Sequence, residues 1–228
     1  MNKIIIYTVI TGNYDSIKQP LVVEEGVEYV LFTNNPKIID AGVWRVAHIP
    51  SELWQGRTER ENNILLSRMV KILPHKYLPE GAEWSLYIDA DMVIKRPLTE
   101  LLNNLHSKTL FAACRHSYCK SVQEEIEDLL SKNMVQLEQV QHQWNKYKEW
   151  GFRDDLGISE NGLLIRKHNN QHVQSLMQLW WSEYQQGCLR DQVSLMPCIY
   201  KTDFMPYFQF VEKNIRANEY LDVLKHNY

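Results

Sequence analysis

The sequence predicts an α/β fold, a single domain with a mostly parallel central sheet flanked by helices. Apolar runs of strand length recur at 3–10, 27–33 and 84–93, and a segment with helical periodicity lies at 57–73. Nearly continuous apolar runs are typical of strands covered on both faces, as in a parallel sheet. The 228 residues suffice for one such domain with a full core, and no repeat or linker divides them, so we take 1–228 as one domain.

Composition excludes several classes of protein. The net charge of −3 gives no bulk attraction to nucleic acid or to an anionic membrane. The four cysteines form no C-x-x-C pair, which argues against a zinc site or a disulfide framework and favours reduced thiols. No run approaches transmembrane length, and the first residues lack the pattern of a signal peptide. We therefore expect a cytoplasmic protein with no nucleic-acid partner and no transmembrane segment; a homo-oligomer is left open.

Two carboxylates end the apolar strand that lies before the middle of the chain. Asp89 and Asp91 are separated only by Ala90, and side chains at i and i+2 of a strand point to the same side. Paired hard oxygen ligands at the carboxyl end of a buried strand suit Mg²⁺ or Mn²⁺. An acidic turn is the simpler interpretation, and Asp-x-Asp by itself is a weak motif.

The first half of the chain supplies two further candidate surfaces. The loop 11–15 follows the first strand and could hold a nucleotide base, although this stretch by itself favours a polar turn. After strands at 27–33 and 43–49, the helix 57–73 ends at Pro74. One of its faces carries Arg60, Ile64, Arg68 and Lys71. This face is either solvated, with Glu59 and Glu61 as partners, or it places Arg68 and Lys71 on a diphosphate.

The second half is predicted to contribute three strands or helices that matter for a site. A buried strand at 109–114 ends in Arg115-His116, and a capping box at Ser121–Glu124 opens one long amphipathic segment, 122–148. Glu160-Asn161-Gly162 precedes an apolar strand, and Gly162 would allow a close approach of backbone or ligand.

The last predicted helices follow this strand. The helix 168–186 carries an aromatic stripe that we assign to the core, and Gly187 is its expected C-cap. A short helix then starts at Arg190-Asp191-Gln192 and runs to Pro197, so Asp191 is either a helix cap or a site carboxylate.

In their order along the chain, five pieces resemble a known family. They are TVITGNYD (8–15), SRMVKILPH (67–75), LYIDADMVI (86–94), ENGLLIR (160–166) and RDQVSLM (190–196). This set is similar to that of the GT-A nucleotide-sugar glycosyltransferases, a Rossmann-like fold, especially the retaining glycogenin-like group. It also resembles the related TOD/MUCI-type glycosyltransferase-like domains. The resemblance implies transfer of a sugar from a UDP-linked donor to a glycan or other acceptor, with retention and with Mn²⁺ or Mg²⁺.

The resemblance also implies roles for individual residues. Asp89 and Asp91 would hold the metal, and Asn161 and Asp191 would orient the sugar and the acceptor. The residues implied in donor binding are Thr8, Thr11, Asn13, Tyr14, Arg68, Lys71, Asp89, Ala90 and Gly162. The glycogenin-like group takes a third metal ligand from a C-terminal His-x-x-Gly-x-x-Lys, which this chain lacks; His226 is the nearest candidate, with His116 behind it.

Two other classes of function remain as alternatives. Asp89-Ala90-Asp91-Met92-Val93 also fits the Asp-x-Asp-x-Val motif of haloacid-dehalogenase-like phosphatases, in which the first Asp is the nucleophile. That motif belongs on the first strand and needs a downstream Asp pair, and the pair Asp154-Asp155 follows a helix instead. A non-catalytic nucleotide-sugar-binding protein is the other alternative.

Overall fold

A seven-stranded sheet forms the centre of the molecule. The structure is a computed structural model that describes residues 3–211 and 215–224. Along the sheet the strands lie in the order β3-β2-β1-β4-β7-β6-β8, and β7 runs antiparallel to both of its neighbours while the other pairs are parallel. The strands of this sheet are β1 (Lys3–Ile10), β2 (Val27–Thr33), β3 (Arg45–His48), β4 (Ala82–Ile88), β6 (Phe111–Arg115), β7 (Ser159–Arg166) and β8 (Phe208–Phe210).

Within the described residues, five α-helices and a small second sheet surround the central one. The second sheet pairs β5 (Met92–Ile94) with β9 (Leu221–Val223) in antiparallel fashion. The helices are α1 (Glu59–Ile72), α2 (Val122–Ser131), α3 (Leu137–Glu149), α4 (Gln171–Gln186) and α5 (Asp191–Lys201). Short 3₁₀ turns lie at Pro74–Lys76, Leu98–Asn104, Met205–Tyr207 and Ile215–Ala217. The predicted α/β class, with its mostly parallel sheet flanked by helices, is confirmed.

Both faces of the sheet are covered by apolar side chains. Along β1, Tyr7 packs into the cluster that holds α1, α4 and α5, and Ile6 packs into the cluster beneath β5 on the opposite face. This two-sided burial is the reason why the strands read as continuous apolar runs. The aromatic stripe of α4, including Trp180 and Tyr184, lies in the core as predicted.

Three predicted segments differ from the structure. The expected continuous helix over 122–148 is two helices, because Asn133, with φ of +54°, turns the chain between α2 and α3. The motif Glu160-Asn161-Gly162 lies within β7 rather than before it. The final helix α5 passes through Pro197 to Lys201 instead of ending there, since the surrounding helix and core packing outweigh the missing proline N–H.

Smaller differences concern the ends of elements. The strand expected at 43–49 is ordered as a strand only over Arg45–His48, at the edge of the sheet. Helix α4 begins at Gln171 because Asn170 caps it by accepting the N–H groups of His172 and Val173. None of the four cysteines forms a disulfide, as the spacing predicted.

Candidate active site

A cleft of about 970 Å³ opens at the carboxyl edge of β1 and β4. Its lining includes the loop after β1, the Arg60–Ile64–Arg68 face of α1 and the turn 89–91. Residues 133–136, Gln139 and the segment 188–190 complete the lining. Ligands of open α/β sheets bind at this edge, and the volume lies within the range of small-molecule sites.

Asp89 and Asp91 both line this cleft, in the turn that joins β4 to β5. The backbone of Asp89 is fixed by two hydrogen bonds, from its N–H to the Gly162 carbonyl (2.9 Å) and from the Met92 N–H to its own carbonyl (3.1 Å). Its Oδ1 atom accepts the Tyr87 hydroxyl at 2.6 Å and lies 3.3 Å from Lys71 Nζ. Because these contacts fall on Oδ1, Oδ2 is the atom of Asp89 that suits a metal ligand.

Lys71 lies below the cleft rather than in its lining. The side chain is 2% exposed, and its Nζ pairs with Asp191 Oδ2 at 2.7 Å as well as with Asp89. It also lies 4.9 Å above the Tyr87 ring. Lys71 therefore joins the carboxylate that follows β4 to the carboxylate that begins α5. A direct contact of Lys71 with a diphosphate stays a prediction, and the ion pairs give the residue a supporting position.

The charges of Asp191 and Arg68 stabilise each other. Burial by itself would raise the pKa of Asp191, but the cations of Lys71 and Arg68 lower it to about 2. Burial likewise disfavours the Arg68 cation, but the carboxylates of Asp191 and Asp89 hold its pKa above the ordinary value. Asp191 is the first residue of α5, and its negative charge interacts favourably with the helix dipole there. The N-cap residue of this helix is Arg190.

The loop after β1 is held by asparagines. Thr11 Oγ1 donates to the Asn63 carbonyl (2.8 Å), and Asn13 Oδ1 accepts from Asn35 Nδ2 (2.8 Å). Gly12, with φ of +59°, donates its N–H to Asn34 Oδ1 at 2.8 Å. Tyr14 is half exposed and lines the cleft. Thus Thr11 and Asn13 shape the loop, and Tyr14 adds an aromatic side chain to the cleft lining.

Three other predicted donor residues, Thr8, Ala90 and Gly162, lie beside Asp89. Thr8 and Ala90 line a small cavity of about 10 Å³ next to this residue, Ala90 also lines the cleft, and the Thr8 hydroxyl has no hydrogen-bond partner. Gly162 is required by packing, since a Cβ there would overlap the Met92 methyl group and lie 3.3 Å from Asp89 Oδ2. Asn161 is 2% exposed, accepts from Ser159 (2.8 Å), and does not line the cleft.

His116, Cys119 and Glu125 form a compact cluster away from the cleft lining. Within residues 3–211 and 215–224 it is the one group of three possible metal ligands. His116 Nδ1 accepts the N–H of Cys119 at 2.9 Å, so its Nε2 carries the proton and faces Glu125 Oε2 at 3.4 Å. Burial and Glu125 raise the pKa of the Cys119 thiol to about 12. A protonated Nε2 and thiol favour a hydrogen-bonded cluster over a metal centre, and His116 is poorly placed as the third ligand beside Asp89.

The sequence did not reveal two parts of this site. Tyr87 sits inside the strand pattern, yet its hydroxyl fixes Asp89; burial and that carboxylate raise its pKa well above the ordinary value. Residues 133–136 and Gln139, which line the cleft, lie within the segment that the sequence predicts as one amphipathic helix. The spacing of four residues between Gln139 and Gln143 was the available sequence signal, because it places two amide side chains on the same face of a helix. The predicted third ligand His226 lies outside the described residues.

The architecture is that of the GT-A glycosyltransferases. One similar solved structure is the WbbM bifunctional glycosyltransferase in its apo form, with 9% identity and a TM-score of 0.50. The match covers 92% of this chain and 38% of WbbM, so the chain spans well under half of that protein's structure. Another is the galactosyltransferase LgtC in complex with donor and acceptor sugar analogs, at 12% identity and a TM-score of 0.49, covering 92% of this chain and 72% of LgtC.

The family follows from the sequence itself. Residues 1–223 match the TOD1/MUCI70, glycosyltransferase-like domain family, and the chain belongs to that family. Comparison with proteins of curated function gives no match. The prediction of a glycosyltransferase is confirmed for the class of protein. Among the helices of the described residues, none combines the length and apolar character needed to span a bilayer.

Proposed function

We propose that this domain transfers a sugar from a UDP-linked donor to a glycan or other acceptor, with retention and with Mn²⁺ or Mg²⁺. The observation that carries the proposal is the convergence of Asp89, Asp91 and Arg68 on one cleft beside the loop after β1. Carboxylate oxygens are the ligands that these ions prefer, and an arginine suits the charge of a diphosphate.

In this mechanism each residue of the site acts on a different part of the donor. Asp89 Oδ2 and Asp91 would hold the ion, with His226 as the predicted third ligand, and the bound ion would supply Lewis-acid stabilisation of the diphosphate. Arg68 binds the leaving diphosphate and stabilises the charge that develops on it. Tyr14, with Thr11 and Asn13 behind it, holds the uridine. Asp191 lies buried behind the cleft lining at Arg190 and would act on the anomeric carbon through the field of its negative charge, and Lys71 pairs with both Asp191 and Asp89 and holds them in place.

Asn161 and Gly162 contribute to this proposal less directly. The Asn161 amide nitrogen is buried with no hydrogen-bond partner, so contact with the donor sugar requires a water or a shift of β7. Gly162 lets β7 pass close to Asp89. Thr8 and Ala90 border the metal side of the site through the small cavity.

The phosphatase alternative is not favoured. Its second acidic site would need Asp154, but the carboxylate of Asp154 accepts the N–H groups of Val122 (2.8 Å) and Gln123 (2.9 Å) and so holds the start of α2. A non-catalytic nucleotide-sugar-binding protein would share the cleft and differ only in turnover.

One set of assays separates these functions. We expect UDP release from a panel of UDP-sugars with Mn²⁺ and none from phosphate esters. Asp89→Asn and Asp91→Asn should each abolish Mn²⁺-dependent UDP binding in calorimetric titrations, because the hard anionic ligands are lost. Asp155→Asn, which changes an exposed carboxylate paired with Arg153, is the matched control and should bind like the wild type. UDP binding whose metal dependence survives in both site variants would contradict the assignment.

A further inference from the structure

The turn that carries Asp89 and Asp91 is held from two sides by different elements. On one side, the Asp89 N–H donates to the Gly162 carbonyl of β7 at 2.9 Å. On the other side, the Leu224 N–H donates to the Asp91 carbonyl at 2.8 Å, where it continues the ladder of β5 and β9. The position of Asp89 therefore depends on the central sheet, and the position of Asp91 depends on the segment 215–224.

The side chain of Asn218 fixes the turn that leads into β9. Its Oδ1 atom accepts the N–H groups of Tyr220 and Leu221, both at 2.8 Å, and its Nδ2 atom donates to the Ile215 carbonyl at 2.9 Å. Leu221 is the first residue of β9, is 1% exposed and pairs with Ile94 of β5. An asparagine side chain that accepts N–H groups two and three residues ahead stabilises a turn. Asn218 thus holds β9 at the point where its pairing with β5 begins.

Before this turn, the segment is anchored to β7. Arg216 Nε donates to Glu160 Oε1 at 2.8 Å, and Ile215 is fully buried. A Cβ at Gly162 would lie 3.1 Å from Ile215 Cδ1 and would overlap the methyl group of Met92. Gly162 is therefore the place where the anchored segment, β5 and β7 pack together.

Strand β5 is joined to the same segment at its other end. The Lys95 N–H donates to the Tyr220 carbonyl at 2.8 Å. Lys95 Nζ pairs with Asp222 Oδ1 at 2.7 Å and donates to the Asn218 carbonyl at 3.2 Å. The contacts between β5 and the segment thus extend from Lys95 at one end to the Leu224–Asp91 hydrogen bond at the other.

We propose that Asn218 is a positioning residue for the metal site. By holding β9 on β5 it fixes the backbone of Asp91, and it thereby raises the affinity for the divalent ion without contacting that ion. A carboxylate on a loose turn would have to be ordered when the ion binds, which costs conformational entropy, whereas a held carboxylate is already in place. This inference rests on the proposed function for the presence of the ion, but the hold on Asp91 does not require the ion.

The test compares Asn218→Ala, which removes the acceptor, with Asn218→Asp, which keeps an acceptor for both N–H groups. Hydrogen–deuterium exchange of 91–94 and 221–224 is measured on the metal-free protein, and we expect it to be at least about tenfold faster in Asn218→Ala because the ladder opens. Calorimetric titration of Mn²⁺ into the UDP-loaded protein should show an affinity about tenfold lower. UDP affinity without metal should not change, because Arg68 and the loop after β1 belong to other elements. Asn218→Asp should recover most of both effects.

Asn103→Ala is the matched control, since it removes the same amide from an exposed position of the 3₁₀ turn Leu98–Asn104, and it should behave as wild type. If Asn218→Ala does not fold, Arg216→Gln, which removes the anchor to Glu160 from an exposed position, should show both effects in the same direction.

Three results would overturn the inference. They are wild-type Mn²⁺ affinity or wild-type exchange in the variant that loosens the segment, a metal-free UDP affinity that falls as far as the Mn²⁺ affinity, and an Asn218→Asp variant as weak as Asn218→Ala. A wild type that binds UDP without any dependence on Mn²⁺ would instead contradict the proposed function. In that case faster exchange at 91–94 in Asn218→Ala would still support the hold on Asp91, and unchanged exchange would overturn it as well.

Discussion

At the scale of single residues, the site depends on charges that are paired before any ligand arrives. Asp89 and Asp191 share the buried Lys71, and Arg68 adds a second cation to the same group. Two carboxylates at one edge would repel each other if they were unpaired. Here the loss of either carboxylate would leave Lys71 buried with one partner fewer.

The prediction at this scale concerns the negative charge of Asp191. Asp191→Asn should retain the fold and Mn²⁺-dependent UDP binding, but sugar transfer should fall by orders of magnitude because the negative charge is absent from the anomeric carbon. The measurement is transfer rate, UDP affinity and melting temperature on one sample. Wild-type transfer would leave Asp191 with only a structural role.

The Asp191→Asn variant should also differ from the wild type in its stability at low pH. A folded-state pKa of about 2 against an ordinary 3.8 means that the ionised carboxylate stabilises the fold above pH 4. That contribution, about 2 kcal/mol for a buried group, is lost as the pH falls from about 4 to 2. Urea unfolding at pH 5 and pH 2.5 should therefore show a smaller drop for Asp191→Asn than for the wild type. Equal drops would mean that Lys71 and Arg68 do not pair with this carboxylate.

At the scale of elements, α3 holds the segment that leads into α5 through direct hydrogen bonds. Gln143 is 4% exposed, accepts the Cys188 N–H and donates to the Tyr147 hydroxyl at 2.7 Å. Gly187 is the residue that permits this approach, since a Cβ there would overlap the Gln143 amide. The expected C-cap role of Gly187 is thus joined by a packing role between two helices.

This arrangement predicts a selective effect of Gln143→Ala. The Cys188 N–H would be left buried without a partner, which should cost about 1–3 kcal/mol of unfolding free energy. Transfer should fall further than UDP affinity, because the segment leading to Asp191 loosens while the metal side stays intact. Urea unfolding, calorimetry and transfer assays measure the three quantities. Gln141→Ala is the control, and a parallel fall of UDP affinity and transfer in Gln143→Ala would argue against the positioning role.

At the scale of the whole molecule, a buried histidine at the opposite edge of the sheet from the site contributes to the response to acid. His168 follows β7, is fully buried, and lies near Arg166 and His75. Burial, reinforced by the Arg166 charge, lowers the pKa of His168 from 6.5 to about 4. Arg166 itself is fully buried, donates to the Tyr7 hydroxyl, and packs 5.8 Å from the Phe111 ring.

The lowered pKa predicts how stability changes with pH. In the unfolded chain His168 is protonated below about pH 6.5, but in the folded chain it is protonated only below about pH 4. As the pH falls through this interval, the free energy of unfolding therefore decreases by roughly 3 kcal/mol because of this group. His168→Gln should flatten the dependence between pH 7 and 4, and His142→Gln, at an exposed position, should not. Urea unfolding at both pH values measures this. An unchanged slope in His168→Gln would place the acid sensitivity elsewhere.

The sequence by itself determined the class of fold, the strands before Asp89 and the face of α1 that lines the cleft. Local patterns were enough for these features. A strand that is buried on both faces has a continuous apolar run, and a helix with one exposed face has a stripe of polar residues at three- and four-residue spacing. The ordered motifs also led to the correct family. Tertiary structure decided what such patterns do not encode. Lys71 and Arg68 look alike on a helical projection, but packing buries one and exposes the other to the cleft. The contacts of Gln139 and Gln143 join residues more than 40 positions apart. A hydrogen bond between residues so far apart produces no periodic pattern in the sequence. Only the folded structure therefore shows how residues 133–136 and Gln139 come to line the cleft.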